Sequence, residues 1–250
     1  MLWGVIRYEY RMAIGRWGVW FAFLLAALLS LGSALTGPGP LAGGGAAWNL
    51  MGSRALMMNV WMPLIAGIAL ADRLPREHLL LTWELLETTL APRGRRILGK
   101  YLGGLLAVCT PVLVFELLGA CIDVARGAAA AQVPVAVLAF LAINLPALAF
   151  VGAFSIACPA VLPVRIYQVL FAGYWFWGNF MNPRAFPTIA GSVLTASGQF
   201  AAEAFFGARF GSGGRVTVPF VALNLCVLAA CAVAALVAVT KYLEWQARRL

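Results

Sequence analysis

Six long apolar stretches divide the chain, at residues 17–36, 55–71, 101–122, 133–158, 164–181 and 218–240. About 20 apolar residues let an α-helix cross the hydrocarbon core of a bilayer. Inside that core each backbone amide must be satisfied within its own segment, so every stretch is expected to be helical. The stretches at 55–71 and 164–181 are short, and are expected to stand nearly upright or to lengthen at their ends. Composition supports this reading: 63% of residues are hydrophobic and 11% charged, with a mean hydropathy of +0.90. Soluble domains carry about 45–50% apolar and about 25% charged residues. The expected fold class is an all-α membrane protein: one transmembrane domain over residues 1–250 with six transmembrane helices. Those spans leave no length for a fused nucleotide-hydrolysing domain, and no internal repeat suggests inverted halves.

Residues 1–16 are too polar to span. Trp3, Ile6, Tyr10, Ala13, Ile14 and Trp17 recur at helical spacing, with Arg7, Arg11 and Arg16 off that face. An amphipathic helix of basic and aromatic residues is expected to lie in the membrane interface. A secretory leader has the same basic-then-apolar order, but the run at 17–36 is too long for one and long enough to span. Orientation follows from the basic residues. With the N-terminus inside, thirteen Lys and Arg fall on cytoplasmic segments and five, Arg54, Arg126, Arg184, Arg209 and Arg215, on outer ones. Both termini are therefore expected in the cytoplasm. The net charge of +9 is a topology signal and requires no nucleic acid. In the outer loop 182–217, residues 194–206 are expected to form a short interfacial or re-entrant helix between Gly191 and Gly207.

The only sizeable cytoplasmic segment is 72–100. Pro75 suits a helix start and Pro92 its stop. Between them Leu79, Trp83, Leu86 and Leu90 form an apolar stripe that has no soluble core of its own. Such a helix can lie on the membrane, pack under its own bundle or dock into a partner. The sequence Gly94-Arg-Arg-Ile-Leu-Gly-Lys100-Tyr101 nearly spells a phosphate loop, which needs a small hydroxyl after the lysine and a strand before the turn. Tyr101 and the Pro-broken helix provide neither, and Lys100 is placed to snorkel at a span's mouth.

Combined with six spans and an interfacial N-terminal helix, Thr82, Glu84, Leu85, Leu86, Thr89, Pro92, Arg95, Leu98, Gly99 and Lys100 resemble the permease subunit of type 2 ABC exporters. The resemblance covers the whole chain in topology, and its specific part lies within residues 72–100. It implies a coupling helix between spans two and three, seated on a separate ATPase. By position, Glu77, Thr82, Trp83, Glu84, Leu86, Glu87 and Arg93 would contact that ATPase. It also implies a dimer of permeases, identical or sister, with two ATPase copies. ATP and magnesium would sit on the partner, and this chain would bind no cofactor. A bacterial cytoplasmic membrane is the implied location. Two other readings stay open: an accessory membrane subunit that transports nothing, and a stand-alone proton-coupled transporter.

Glu116 is the one acid well inside a span, where a carboxylate is costly and marks a functional candidate. Pairing with a neighbour such as Arg126 is the structural alternative; Asp123 is expected at the outer surface. Met58, Asn59 and Met62 in span two, and Phe171, Tyr174, Trp175 and Asn179 in span five, are candidates to line a substrate path, with helix packing as the competing role. Asn144 and Asn224 are expected to hydrogen-bond between helices. The five cysteines read as small buried hydrophobes, and His78 lacks metal-ligand company. No nucleophile has both a base and an orienting group, so the chain is not expected to be an enzyme or a metal site.

Overall fold

A computed structural model describes residues 2–36, 44–75, 92–208 and 216–249, with side chains left undescribed at 31–36 and 44–46. The described residues are helical, without strands. In chain order they form α1 (Leu2–Ile14), α2 (Trp17–Thr36), α3 (Gly44–Leu70), α4 (Arg93–Ala125), α5 (Gln132–Ala139), α6 (Leu145–Ala157), α7 (Val164–Phe180), α8 (Gln199–Phe206) and α9 (Val218–Ala247). A π-helical turn, Phe140–Asn144, joins α5 to α6 without a break. The expected coupling helix, with Glu77, Thr82, Trp83, Glu84, Leu86 and Glu87, lies outside the described residues.

Among the described residues, four helices are long and apolar enough to cross a membrane: α3, α4, the continuous α5–α6 rod and α9. A fifth crossing is counted if α1 and α2, bent by 67° where they meet, make one broken span. With α5–α6 taken as one rod, α7, at 17 residues, is the shortest helix on the six apolar stretches. α3 begins well before the apolar stretch at 55, because Trp48, Leu50 and Met51 carry helical apolar spacing past Arg54 into the preceding residues. α4 likewise continues through Arg93–Lys100, whose arginines and lysine tolerate helix well.

The molecule is inside-out by the standard of soluble proteins. Leu25, Leu28 and Leu29 of α2, Val169 and Leu170 of α7, and Leu223, Val233 and Val237 of α9 point outward. Asn59, Asn144, Ser155 and Glu116 are fully buried. Apolar exteriors on this scale mark a lipid or partner surface. α3 runs through the centre: Met58, Met62 and Leu70 pack with α2 and α4, and Met51 and Ala55 with α5 and α8. α9 is peripheral, with 22% of its most apolar window buried against 61% for α5–α6.

The short helix of the 182–217 segment starts at Gln199, later than the pattern suggests. Gly198 takes φ +80°, outside the helical region, so the chain can turn helical only after it. A Cβ there would also meet Ile143 Cγ2 at 2.7 Å and Asn59 Nδ2 at 2.9 Å.

Candidate functional site

α1 lies directly on α4. A Cβ on Gly103 would meet the Ile6 carbonyl oxygen and the Glu9 Cβ, both at 2.7 Å, so only glycine admits this approach. The stripe buried by that contact is Ile6, Glu9 and Ala13; Trp3 and Trp17, expected on the same face, are exposed. Glu9 is the site residue that sequence reasoning misses. Its spacing of three from Ile6 and four from Ala13, within the apolar stripe, is the signal that could have found it.

Glu9 is buried and shared by two cations from different elements. Lys100 Nζ on α4 donates to Oε1 at 3.1 Å, and Arg73 Nη1, beyond the end of α3, donates to Oε2 at 3.5 Å. Burial and the nearby Arg16 charge pull the Arg73 guanidinium below its ordinary value, against the opposing pull of Glu9 and Asp72. A half-exposed pair, Arg16 Nη1 with Asp72 Oδ2 at 3.4 Å, ties the start of α2 to the same turn. Arg73 and Lys100 flank the segment 76–91. Both bond one carboxylate on α1, and Arg93, the one expected partner-contact residue within the described set, is the first residue of α4, seven positions before Lys100.

At the other end of α3 and α4 a second ionic group is buried. Arg54 Nη2 donates to Asp123 Oδ2 at 2.5 Å, with both side chains almost wholly enclosed. Arg54 is therefore a helix residue inside the bundle, and Asp123 is not at the surface. Glu116 lies two turns before Asp123 on α4, about 10 Å along the axis. It is fully buried and neither oxygen has a hydrogen-bond partner. The cation whose charge reaches it is Arg54, whose Nε and Nη1 also lack partners. Arg126, expected as a possible partner, is exposed at the end of α4.

Between these groups runs a ladder of amides. Asn144, the last residue of the π turn, donates to the Ala55 carbonyl at 2.9 Å and to Asn59 Oδ1 at 2.8 Å. Asn59 donates onward to the carbonyls of Ile143 and Ser197, both at 3.0 Å. A π turn frees carbonyls from the helical register, and Asn59 uses the one at Ile143. Asn224 crosses from α9 to the carbonyls of Val193 and Thr195, in the connection before α8 and not on a helix.

Of the expected path residues, Met58, Asn59, Met62, Phe171, Trp175 and Asn179 are buried, and Tyr174 is 39% exposed. Trp175 Nε1 donates to the Val60 carbonyl at 2.9 Å, pinning α7 to α3. Asn179 Oδ1 accepts from the Ala196 amide at 2.8 Å. The two groups of candidates do not form one lining: Met58 and Met62 pack toward α2 and α4, whereas Phe171 and Trp175 pack with Ala147, Phe150 and Val151 of α6. Cys109 is buried, whereas Cys121 and Cys226 are exposed. Among the described residues, no three metal-ligating side chains come together.

Fold and composition together define a class: a helical chain whose described residues include four or five helices able to cross a membrane, with charged groups held inside the bundle. No protein-family model matches the chain, and no curated protein matches it either.

Proposed function

We propose that this chain is the membrane-spanning subunit of an ATP-driven exporter of the type 2 ABC kind. In this reading α2 and α7 complete six crossings, both termini lie in the cytoplasm of a bacterial cell, and segment 76–91 seats on a separate ATPase. Two such subunits, identical or sister, and two ATPase copies make the transporter. ATP and magnesium belong to the ATPase, and the translocation path runs where α3 and α7 meet.

The observation that carries the reading is the ionic clamp at Glu9. A coupling segment is useful only if its displacement reaches the spans. Residues on either side of 76–91 are both fastened to one buried carboxylate, so a push on that segment is delivered to α1, α3 and α4 together. A surface loop with no mechanical role has no need of a buried three-way ion pair at its base. Such pairs are weak contributors to stability for the desolvation they require.

The experiment is a mild-detergent pull-down of the full chain from its native membrane, with mass spectrometry of what co-purifies. A soluble ATPase in stoichiometric amount, lost on Glu84→Ala or Leu86→Ala, is the expected result. A chain that comes out alone and intact overturns the reading.

One observation favours a second reading, the stand-alone proton-coupled transporter. Glu116 is buried in a span with no hydrogen-bond partner, as a proton-carrying carboxyl would be. Under that reading Glu116→Gln abolishes transport and Glu84→Ala does not; export by an ATPase gives the reverse.

A further inference from the structure

A groove of about 460 Å³ opens between α1 and α4. Its α1 wall is a single helix face, with Trp3, Arg7, Tyr10 and Arg11 at helical spacing; α4 contributes Leu106 and Thr110. Tyr10 Oη and Thr110 Oγ1, 3.3 Å apart, hold the two walls together. Arg7 and Arg11 are one turn apart and exposed. Neither is paired with a carboxylate among the described residues. The acid of the same helix, Glu9, faces the opposite way and is held by Arg73 and Lys100. The remaining surface is mostly apolar: Leu106 is 48% and Trp3 71% exposed.

Two unneutralised guanidiniums above a hydrocarbon-lined channel fit a ligand that is anionic at one end and aliphatic at the other. We propose that this groove binds an anionic phospholipid, with its phosphate between Arg7 and Arg11 and an acyl chain along Leu106. Guanidinium groups grip phosphate oxygens with paired, charge-assisted hydrogen bonds. Trp and Tyr beside them are the residues that settle at headgroup depth. A zwitterionic lipid brings its own cation to the two arginines and loses most of the attraction. The site does not depend on the export reading, because it needs only that the bundle sit in a membrane.

The test uses the purified full chain in mild detergent, exchanged with phosphatidylglycerol or phosphatidylcholine and measured by native mass spectrometry. One phosphatidylglycerol per chain should be retained about thirtyfold more strongly than phosphatidylcholine, from two basic residues at the surface. The double substitution R7Q with R11Q should bring the two lipids to parity, and R7K with R11K should restore much of the preference. Removing the same charge elsewhere, with K241Q and R248Q, should leave retention unchanged. Equal retention of both lipids by the unmodified chain overturns the proposal, as does a preference that survives R7Q with R11Q. Displacement of the lipid by millimolar inorganic phosphate also overturns it, since the groove would then be a simple anion site.

Discussion

The two buried ionic groups sit at opposite ends of α3 and α4, and they are built on opposite ratios. Near α1, one carboxylate, Glu9, serves two cations that reach it from different elements. At the far end, one cation, Arg54, stands among two carboxylates on the same helix and bonds only one of them. The first arrangement is a fastening: each member is held by another element, and moving one moves all three. The second has a spare acceptor, since Arg54 keeps two nitrogens unbonded and Glu116 both oxygens. A fastening resists change. A group with an unfilled alternative can exchange partners at modest cost, so the bundle is stiff at its α1 end and electrostatically undecided at the other.

That difference is open to direct attack, and Glu9→Leu is the harshest blow. It takes from Arg73 and Lys100, each about 5% exposed, the carboxylate that they share. Breaking a buried ion pair by removing one partner costs about 3–5 kcal/mol. Thermal unfolding of the full chain in detergent should show a loss of that size, larger than any single substitution at Asp123, Glu116 or Arg16 produces. A loss no greater than that of an exposed pair would mean that water reaches the clamp, and the fastening would be only apparent.

At the far end the same kind of deletion should cost less. Asp123→Asn removes the negative charge that faces Arg54 and leaves it only an amide oxygen, yet Glu116 lies on the same face and has both oxygens to offer. A loss of about 1–3 kcal/mol, the desolvation cost of one unsatisfied group, is expected in place of a full charge deletion. Glu116→Gln breaks no hydrogen bond and should change stability by less than about 1 kcal/mol. The pair should not be additive. With Glu116→Gln present, Asp123→Asn should become as damaging as Glu9→Leu, because Arg54 then has no carboxylate to turn to. Strict additivity in this double-mutant cycle would remove the exchange picture.

The helices are legible in the sequence because apolar run length is dictated by lipid, and α2, α4 and α9 begin or end close to where hydropathy changes. What the sequence obscures is the location of charge. Arg54 reads as a loop residue by hydropathy, since nothing linear shows that Asp123 on another helix will neutralise it. Glu9 is hidden for the opposite reason: its charge suggests the polar face although its spacing places it on the buried one. The delayed start of the 199–206 helix turns on one φ angle at Gly198, fixed by the close approach of Ile143 and Asn59 and therefore invisible in local pattern. The path candidates rest on chemistry alone, and burial separates Tyr174 from the rest only because α7 packs one face on α3.

The mildest test concerns the edge of the clamp. Arg16 and Asp72 are paired at 3.4 Å, but their side chains are 28% and 42% exposed. Water screens such a pair, and exposed ion pairs contribute about 0–1 kcal/mol. Arg16→Gln should therefore lower stability by well under about 1 kcal/mol, with the effect vanishing at high salt, whereas the Glu9→Leu loss should persist there because burial shields it from ions. Arg16 has a further electrostatic role, since its charge is one of the causes that pull the Arg73 guanidinium below its ordinary value. Removing it relieves that repulsion and offsets part of the lost pairing with Asp72. If Arg16→Gln nevertheless proved as costly as Glu9→Leu, the bend between α1 and α2, and not the Glu9 carboxylate, would be what fastens α1 to the bundle.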